Sequence, residues 1–269
     1  IGVLGSIVVV EGTSLDPLGF AAVRDEFSSN SIATLPMDGA EINAYDKANK
    51  TLYVVSGGDK LYTVNLTDPS KPVMGATLSL SATAQSIDVY GGYIAIALSD
   101  SVDKTNPGKI ALYSTGASPS LVTTFPAGAL PDSVAFSKNG KFIITANEGE
   151  PNDDYSIDPM GSITVVTFNS ASPASSSVSQ LYFNGFDANT LTANGVRLSG
   201  PNATNPAKDI EPEYVTISPD ESKAFVSLQE NNAFAIVDLS QLVPVISSVV
   251  GAGVKDWSVG GLKVDTTDK

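Results

Sequence analysis

Asn147-Glu148-Gly149-Glu150-Pro151-Asn152-Asp153-Asp154-Tyr155-Ser156-Ile157-Asp158-Pro159 places five carboxylates in one short stretch, directly after the apolar run Phe142-Ile143-Ile144. Like charges this close repel unless water, backbone N–H groups or a cation takes up the field. With asparagines beside them, the donors are all oxygen. Such a set suits calcium, which takes about six to eight oxygen ligands at flexible geometry; magnesium demands a stricter octahedron, usually completed by water and substrate phosphate. The stretch is not an EF-hand loop, whose alternating acids, Gly at the sixth place and Glu at the twelfth are missing here. The calcium expectation is therefore one of composition and placement.

The rest of the composition narrows the chemistry further. There are 15 Lys and Arg against 29 Asp and Glu, a net charge of -14. Nucleic acid is excluded as an expected partner, because phosphate neutralisation needs clustered cations. Cysteine and histidine are both absent. That removes disulfides, thiolate or imidazole metal sites and the Ser-His-Asp arrangement. Only Arg24 and Arg197 supply guanidinium groups. Hydrophobic residues make up 42% of the chain, enough for a sizeable core. The longest apolar stretch, Ile1 to Val10, is broken by Gly2, Gly5 and Ser6 and is too short to span a bilayer, so no direct membrane insertion is expected.

Elements that could position the acids come from a repeat. Four segments overlay as strand, polar turn, strand: Ile42 to Asp46 with Thr51 to Val55, Ile87 to Tyr90 with Tyr93 to Ala97, Val134 to Ser137 with Lys141 to Ile144, and Val215 to Ser218 with Lys223 to Ser227. The turns Lys47 to Lys50, Gly91-Gly92, Lys138-Asn139-Gly140 and Pro219-Asp220-Glu221-Ser222 all carry turn chemistry. A third strand follows each time (Leu61 to Leu66, Lys109 to Tyr113, Ser162 to Phe168, Ala233 to Asp238), then a weaker fourth such as Ser247 to Val250. Tyr45, Val89, Phe136 and Ile217 are equivalent, at steps of 44, 47 and 81 residues; the long step contains an insertion at 184–210 rich in Asn, Gly, Thr and Pro.

This is the spacing of an all-β fold, a β-propeller of four-stranded blades; a β-sandwich with similarly spaced hairpins is the competing arrangement. Four blades are recognisable over residues 39–269, and the expectation is that they form part of a larger ring, such as a seven-bladed one. Residues 1–38 form a separate, unassigned segment. Open blade faces need cover, so the expected partners are the remaining blades or a neighbouring subunit, with surface assembly.

In a propeller the loop entering each blade and the loop joining its second and third strands share one face. Glu41, Asp132, Glu211 and Glu213 fall in the first set; Asp59, Asp100, Asp103, Glu148, Glu150, Asp153, Asp154, Asp158 and Glu230 fall in the second. From this acidic rim the expected metal ligands are Glu148, Glu150, Asp153, Asp154, Asp158, Glu211, Glu213 and Glu230.

The block Asn147 to Tyr155 with Ile157-Asp158-Pro159 and Gly161-Ser162 resembles one in the secreted bacterial choice-of-anchor I family and in the related mesenchyme-specific cell-surface glycoproteins of echinoderm skeleton-forming cells. Gly39-Ala40-Glu41-Ile42 with Ala44-Tyr45-Asp46, Asp209-Ile210-Glu211-Pro212-Glu213-Tyr214, Leu228-Gln229-Glu230-Asn231-Asn232-Ala233 and Lys255-Asp256 agree with it. The resemblance implies a propeller that is secreted, extracellular or on the cell surface. Some members carry alkaline phosphatase labels.

Two functions follow as expectations. One is a calcium-binding module with a structural, matrix or adhesive role. The other is a metal-dependent phosphoesterase with part of its site outside this chain; Lys104, Lys109 and Lys208 would be its cations, and Thr145 or Ser162 its nucleophile.

Overall fold

The computed structural model describes residues 4–9 and 33–253. Lys255-Asp256 of the resemblance lie outside them. An antiparallel pair, β1 (Leu4–Val9) and β2 (Ala33–Asp38), precedes four antiparallel sheets. The first is β3 (Ala40–Asp46), β4 (Thr51–Ser56), β5 (Lys60–Asn65) and β6 (Val73–Ser79). The second is β7 (Thr83–Tyr90), β8 (Tyr93–Ser99), β9 (Pro107–Ser114) and β10 (Leu121–Ala129). The third is β11 (Pro131–Phe136), β12 (Phe142–Asn147), β13 (Ser162–Thr167) and β14 (Ser177–Tyr182). The fourth is β15 (Val215–Ile217), β16 (Lys223–Leu228), β17 (Ala233–Asp238) and β18 (Val245–Gly251). Spatial order within each sheet equals chain order, so each is a four-stranded meander, the blade of a β-propeller. The insertion carries two short helices, α1 (Ala188–Ala193) and α2 (Pro206–Asp209).

Local chemistry explains the turns. Tyr90 pairs with Tyr93 across Gly91 and Gly92, both at positive φ, as a two-residue hairpin of right-handed twist requires. Gly140 and Glu221 hold the same left-handed place in the turns after β11 and β15, each donating its N–H three residues back, to Ser137 and Ser218. Ser137 N–H meets the Phe142 carbonyl and Ser218 N–H meets that of Lys223. Phe142 is thus the structural counterpart of Lys223. The sequence overlay, which starts these strands at Lys141 and Lys223, is one residue out.

Alternation along the strands gives every blade two apolar faces. Ile94, Ile96 and Leu98 of β8 pack with Tyr53, Val55 and Leu61 of the first blade. Ala95 and Ala97 turn the other way, onto Ile143 and Val166 of the third. Phe142, Ile144, Ile163 and Val165 then pack with Ala224, Val226, Ala235 and Val237 of the fourth, together with Leu191, Val196 and Ile210 of the insertion. Leu35 and Met37 cover the remaining face of the first blade. On the fourth blade, Phe225 and Phe234 are 37% and 48% exposed, whereas their counterparts Ile144 and Ile163 are fully buried.

The innermost strand of each blade lacks a ladder neighbour on one side, and its free N–H groups need other acceptors. Side chains of the preceding blade supply them. Ser86 Oγ accepts from Val134 N–H (3.2 Å), Asp88 Oδ2 from Phe136 N–H (2.7 Å) and Ser133 Oγ from Val215 N–H (3.1 Å). Ser133→Ala leaves the Val215 N–H without that acceptor at a buried seam. We expect this to cost about 1–3 kcal/mol in urea unfolding; an unchanged midpoint would show that the stitch carries no weight.

Candidate functional site

The acids do not share one surface equally. Those of the first two blades are engaged locally. Asp59 pairs with Lys60 at 3.3 Å. Asp100 accepts from Val102 and Asp103 N–H, and Asp103 from the N–H and hydroxyl of Thr105. Between the third and fourth blades the loop after β12 faces the insertion, and the two enclose a cleft of about 280 Å³. Glu148, Glu150, Asp158, Glu211 and Glu230 line it, with Tyr155, Asn202, Lys208, Asp209 and Asn231.

Backbone constraints set this geometry. Glu148 and Gly149 donate their N–H groups to the Leu130 and Ala129 carbonyls, and Gly149 is left-handed at φ 71°. Gly161, at the far end of the loop, lies against the insertion so closely that a Cβ there would sit 1.9 Å from the Ile210 carbonyl oxygen. No other residue type permits that approach.

Burial and mutual repulsion shape the chemistry. The half-buried Glu148 carboxyl is pushed up to about 8, first by burial and then by Glu150, Asp132, Glu211 and Glu213. Glu211 rises to about 7, by burial and then by Glu230, Glu150, Asp209 and Glu213. Burial also raises Asp132 and, with Asp132 and Glu230, Glu213. Two nearby cations already pair with acids of the cleft: Lys104 Nζ meets Glu150 Oε2 at 2.6 Å and Arg197 Nη2 meets Glu230 Oε2 at 3.3 Å, while Lys208 lines the cleft itself. Asp158 accepts from Asn202 Nδ2 through one oxygen, and its other oxygen is buried without a partner.

Two expected ligands are turned away. Asp153 and Asp154 line a separate open depression with Asp103, Lys104 and Asn152. Asp154 is held there by the Ser156 hydroxyl and N–H (2.6 and 3.0 Å), which also keep its carboxyl below the usual range. Glu213 acts on the cleft by charge but does not line it. Among the described residues no three acidic side chains converge closely enough to form a metal centre as they stand. Thr145 and Ser162, the candidate nucleophiles, are fully buried; Thr145 donates to the Ser133 carbonyl and Ser162 accepts from Asn147 Nδ2.

Asp209 and Asn231 also line the cleft, beside the expected ligands. Asn231 Oδ1 accepts from Glu211 N–H (3.1 Å), and its Nδ2 donates to the Arg197 and Asp209 carbonyls (3.0 and 2.8 Å). Both residues stand within the quoted blocks Asp209 to Tyr214 and Leu228 to Ala233. The available signal was a polar residue beside each acid.

Similarity to known proteins agrees with this architecture. A functionally unknown protein from Desulfotomaculum acetoxidans superposes with a TM-score of 0.56 at 14% identity, covering 84% of this chain and 61% of that one. A protein from Lactobacillus plantarum gives 0.55 at 14%, covering 83% and 61%. The periplasmic gluconolactonase PpgL of Pseudomonas aeruginosa gives 0.54 at 12%, covering 84% and 62%. The chain therefore spans about three fifths of the length of these relatives, and at such identities the likeness is one of propeller fold alone. No curated protein sequence matches the chain. Among the described residues no helix is long and apolar enough to cross a membrane. The choice-of-anchor I domain matches residues 41–269, which points to a surface or extracellular setting, and the chain belongs to the choice-of-anchor I family.

Proposed function

We propose that this protein is an extracellular or cell-surface propeller that binds calcium in the acidic cleft, in a structural, matrix or adhesive role. The observation that carries the proposal is the Glu148–Glu211 environment: two half-buried carboxyls, each burdened by neighbouring negative charge. A divalent cation relieves that repulsion directly, and every other polar group lining the cleft apart from Lys208 can offer oxygen. Glu148 and Glu211 would be the principal ligands, with the unpartnered oxygen of Asp158 beside them. Glu150 and Glu230 would join by leaving Lys104 and Arg197, since exposed ion pairs of this kind hold only about 0–1 kcal/mol. The phosphoesterase alternative lacks comparable support, with Lys104 engaged by Glu150 and both candidate nucleophiles buried.

The pH dependence follows from the raised carboxyls. Their ordinary value is 4.5, and the folded state holds the protons up to about 7 and 8. Folded protein thus binds more protons than unfolded protein in that window. The stabilisation is fully present below the unfolded value and is lost as pH climbs through the folded ones. In chelator, melting temperature should fall between about pH 5 and pH 8.5, and Glu148→Gln should flatten the fall. A flat profile in the parent protein would remove the repulsion argument.

Calcium should reverse the loss, most strongly at high pH where it no longer competes with protons. At about a hundredfold excess over its dissociation constant we expect a rise of roughly 5–10 °C at pH 8, with stoichiometric metal by direct analysis. Glu148→Gln with Glu211→Gln should abolish the rise. No shift and no bound calcium at pH 8 would defeat the proposal.

A further inference from the structure

We infer that residues 197–209 form a strap along the acidic cleft that opens as a single unit, with Asn231 as its latch. Both ends of the segment are tied to this one residue. Arg197 N–H donates to the Asn231 carbonyl at 2.7 Å, and Asn231 Nδ2 donates back to the Arg197 carbonyl at 3.0 Å. The same Nδ2 donates to the Asp209 carbonyl at 2.8 Å. With Oδ1 taken by Glu211 N–H, both amide hydrogens and the amide oxygen are in use, and Asn231 is 2% exposed. Few other side chains can donate twice and accept once from this position.

The strap is also closed on itself. The Asp209 carboxylate accepts from Gly200 N–H (2.7 Å) and Ser199 N–H (3.2 Å), so the two ends of the segment are bonded to each other as well as to Asn231. Ser199, Gly200, Pro201, Asn202 and Lys208 form its wall of the cleft. On the opposite side it is met by the Asn202–Asp158 pair. Apolar anchorage is shared: Val196 and Ile210 belong to the core on either side, and the strap itself contributes Leu198, Pro206 and Ala207. A short segment between two core anchors, pinned at both ends by hydrogen bonds and with few apolar contacts of its own, is the kind that opens below the cost of global unfolding. Latched, it forms one wall of the cleft of about 280 Å³; unlatched, it would widen that cleft. The gating of calcium rests on the proposed function, but the strap itself does not.

Trypsin tests this directly, because its two target bonds in the segment follow Arg197 and Lys208. In chelator, Asn231→Ala should be cut at those bonds about tenfold faster than the parent protein, with cleavage elsewhere unchanged. Equal rates would overturn the inference. Hydrogen exchange on the unmodified protein gives a reading that survives a folding failure of the variant. The Arg197, Ser199 and Gly200 amides should exchange together, faster than those of β16; exchange only through global unfolding would also overturn it. Calcium separates the two claims: Glu148→Gln should weaken calcium binding and leave trypsin protection intact. Parent protein that binds no calcium but shows the strap behaviour would refute the proposed function and leave the strap standing.

Discussion

Two-sided burial is the constraint on which everything else depends. A strand points successive side chains to opposite faces, and in these blades both sets are apolar. Such a sheet cannot stop at one contact; it needs a neighbour on each side. Stacking therefore follows from the alternation, and the loops end up on common faces because the stacked blades are parallel copies. The side-chain acceptors Ser86, Asp88 and Ser133 complete what the ladders leave open along the inner strands.

The insertion breaks the equivalence of the blades. Without it, the loop after β12 would be a solvated acidic turn like that around Asp100 and Asp103. With Ile210 pressed on Gly161 and residues 199–209 standing opposite Glu148, part of the rim is withdrawn from water. Burial is the larger cause of the raised carboxyls of Glu148 and Glu211, and like charge adds to it. The cleft's chemistry is thus made by packing, and the acids are what the packing acts on.

Much of the fold was legible because turn chemistry and β-branched runs are local signals. Gly91-Gly92 marks its hairpin unaided, and the third strand Ala233–Asp238 coincides with its sequence boundaries. The second strand of the third and fourth blades was harder. Lys141 and Lys223 look alike, but the left-handed residues Gly140 and Glu221 set the register, and Glu221 carries no sequence mark of that role. A slip of one residue exchanges the two faces, so Ile143 and Phe142 would trade neighbours. For the candidate site, topology brings the loops after β12 and β16 to one cleft, but only contacts with the insertion decide which acids meet. Asp154 leaves the group because Ser156, two residues on, captures it; Asn231 matters through partners 22 and 34 residues away.

The apolar clusters join the first blade to the second, the second to the third and the third to the fourth, each pair through its own set of residues. Stability is then a series of nearest-neighbour couplings, and one joint can loosen while the others hold. Only the third joint combines a large apolar interface with a concentration of like charge. We expect its strength to vary with proton activity; the second joint has one comparable group, the Asp88 carboxyl, which burial raises and which accepts from Phe136 N–H across the seam. The joints should therefore differ in what sets their stiffness: chiefly packing in the first two, and in the third packing set against like charge that the surrounding solution modulates.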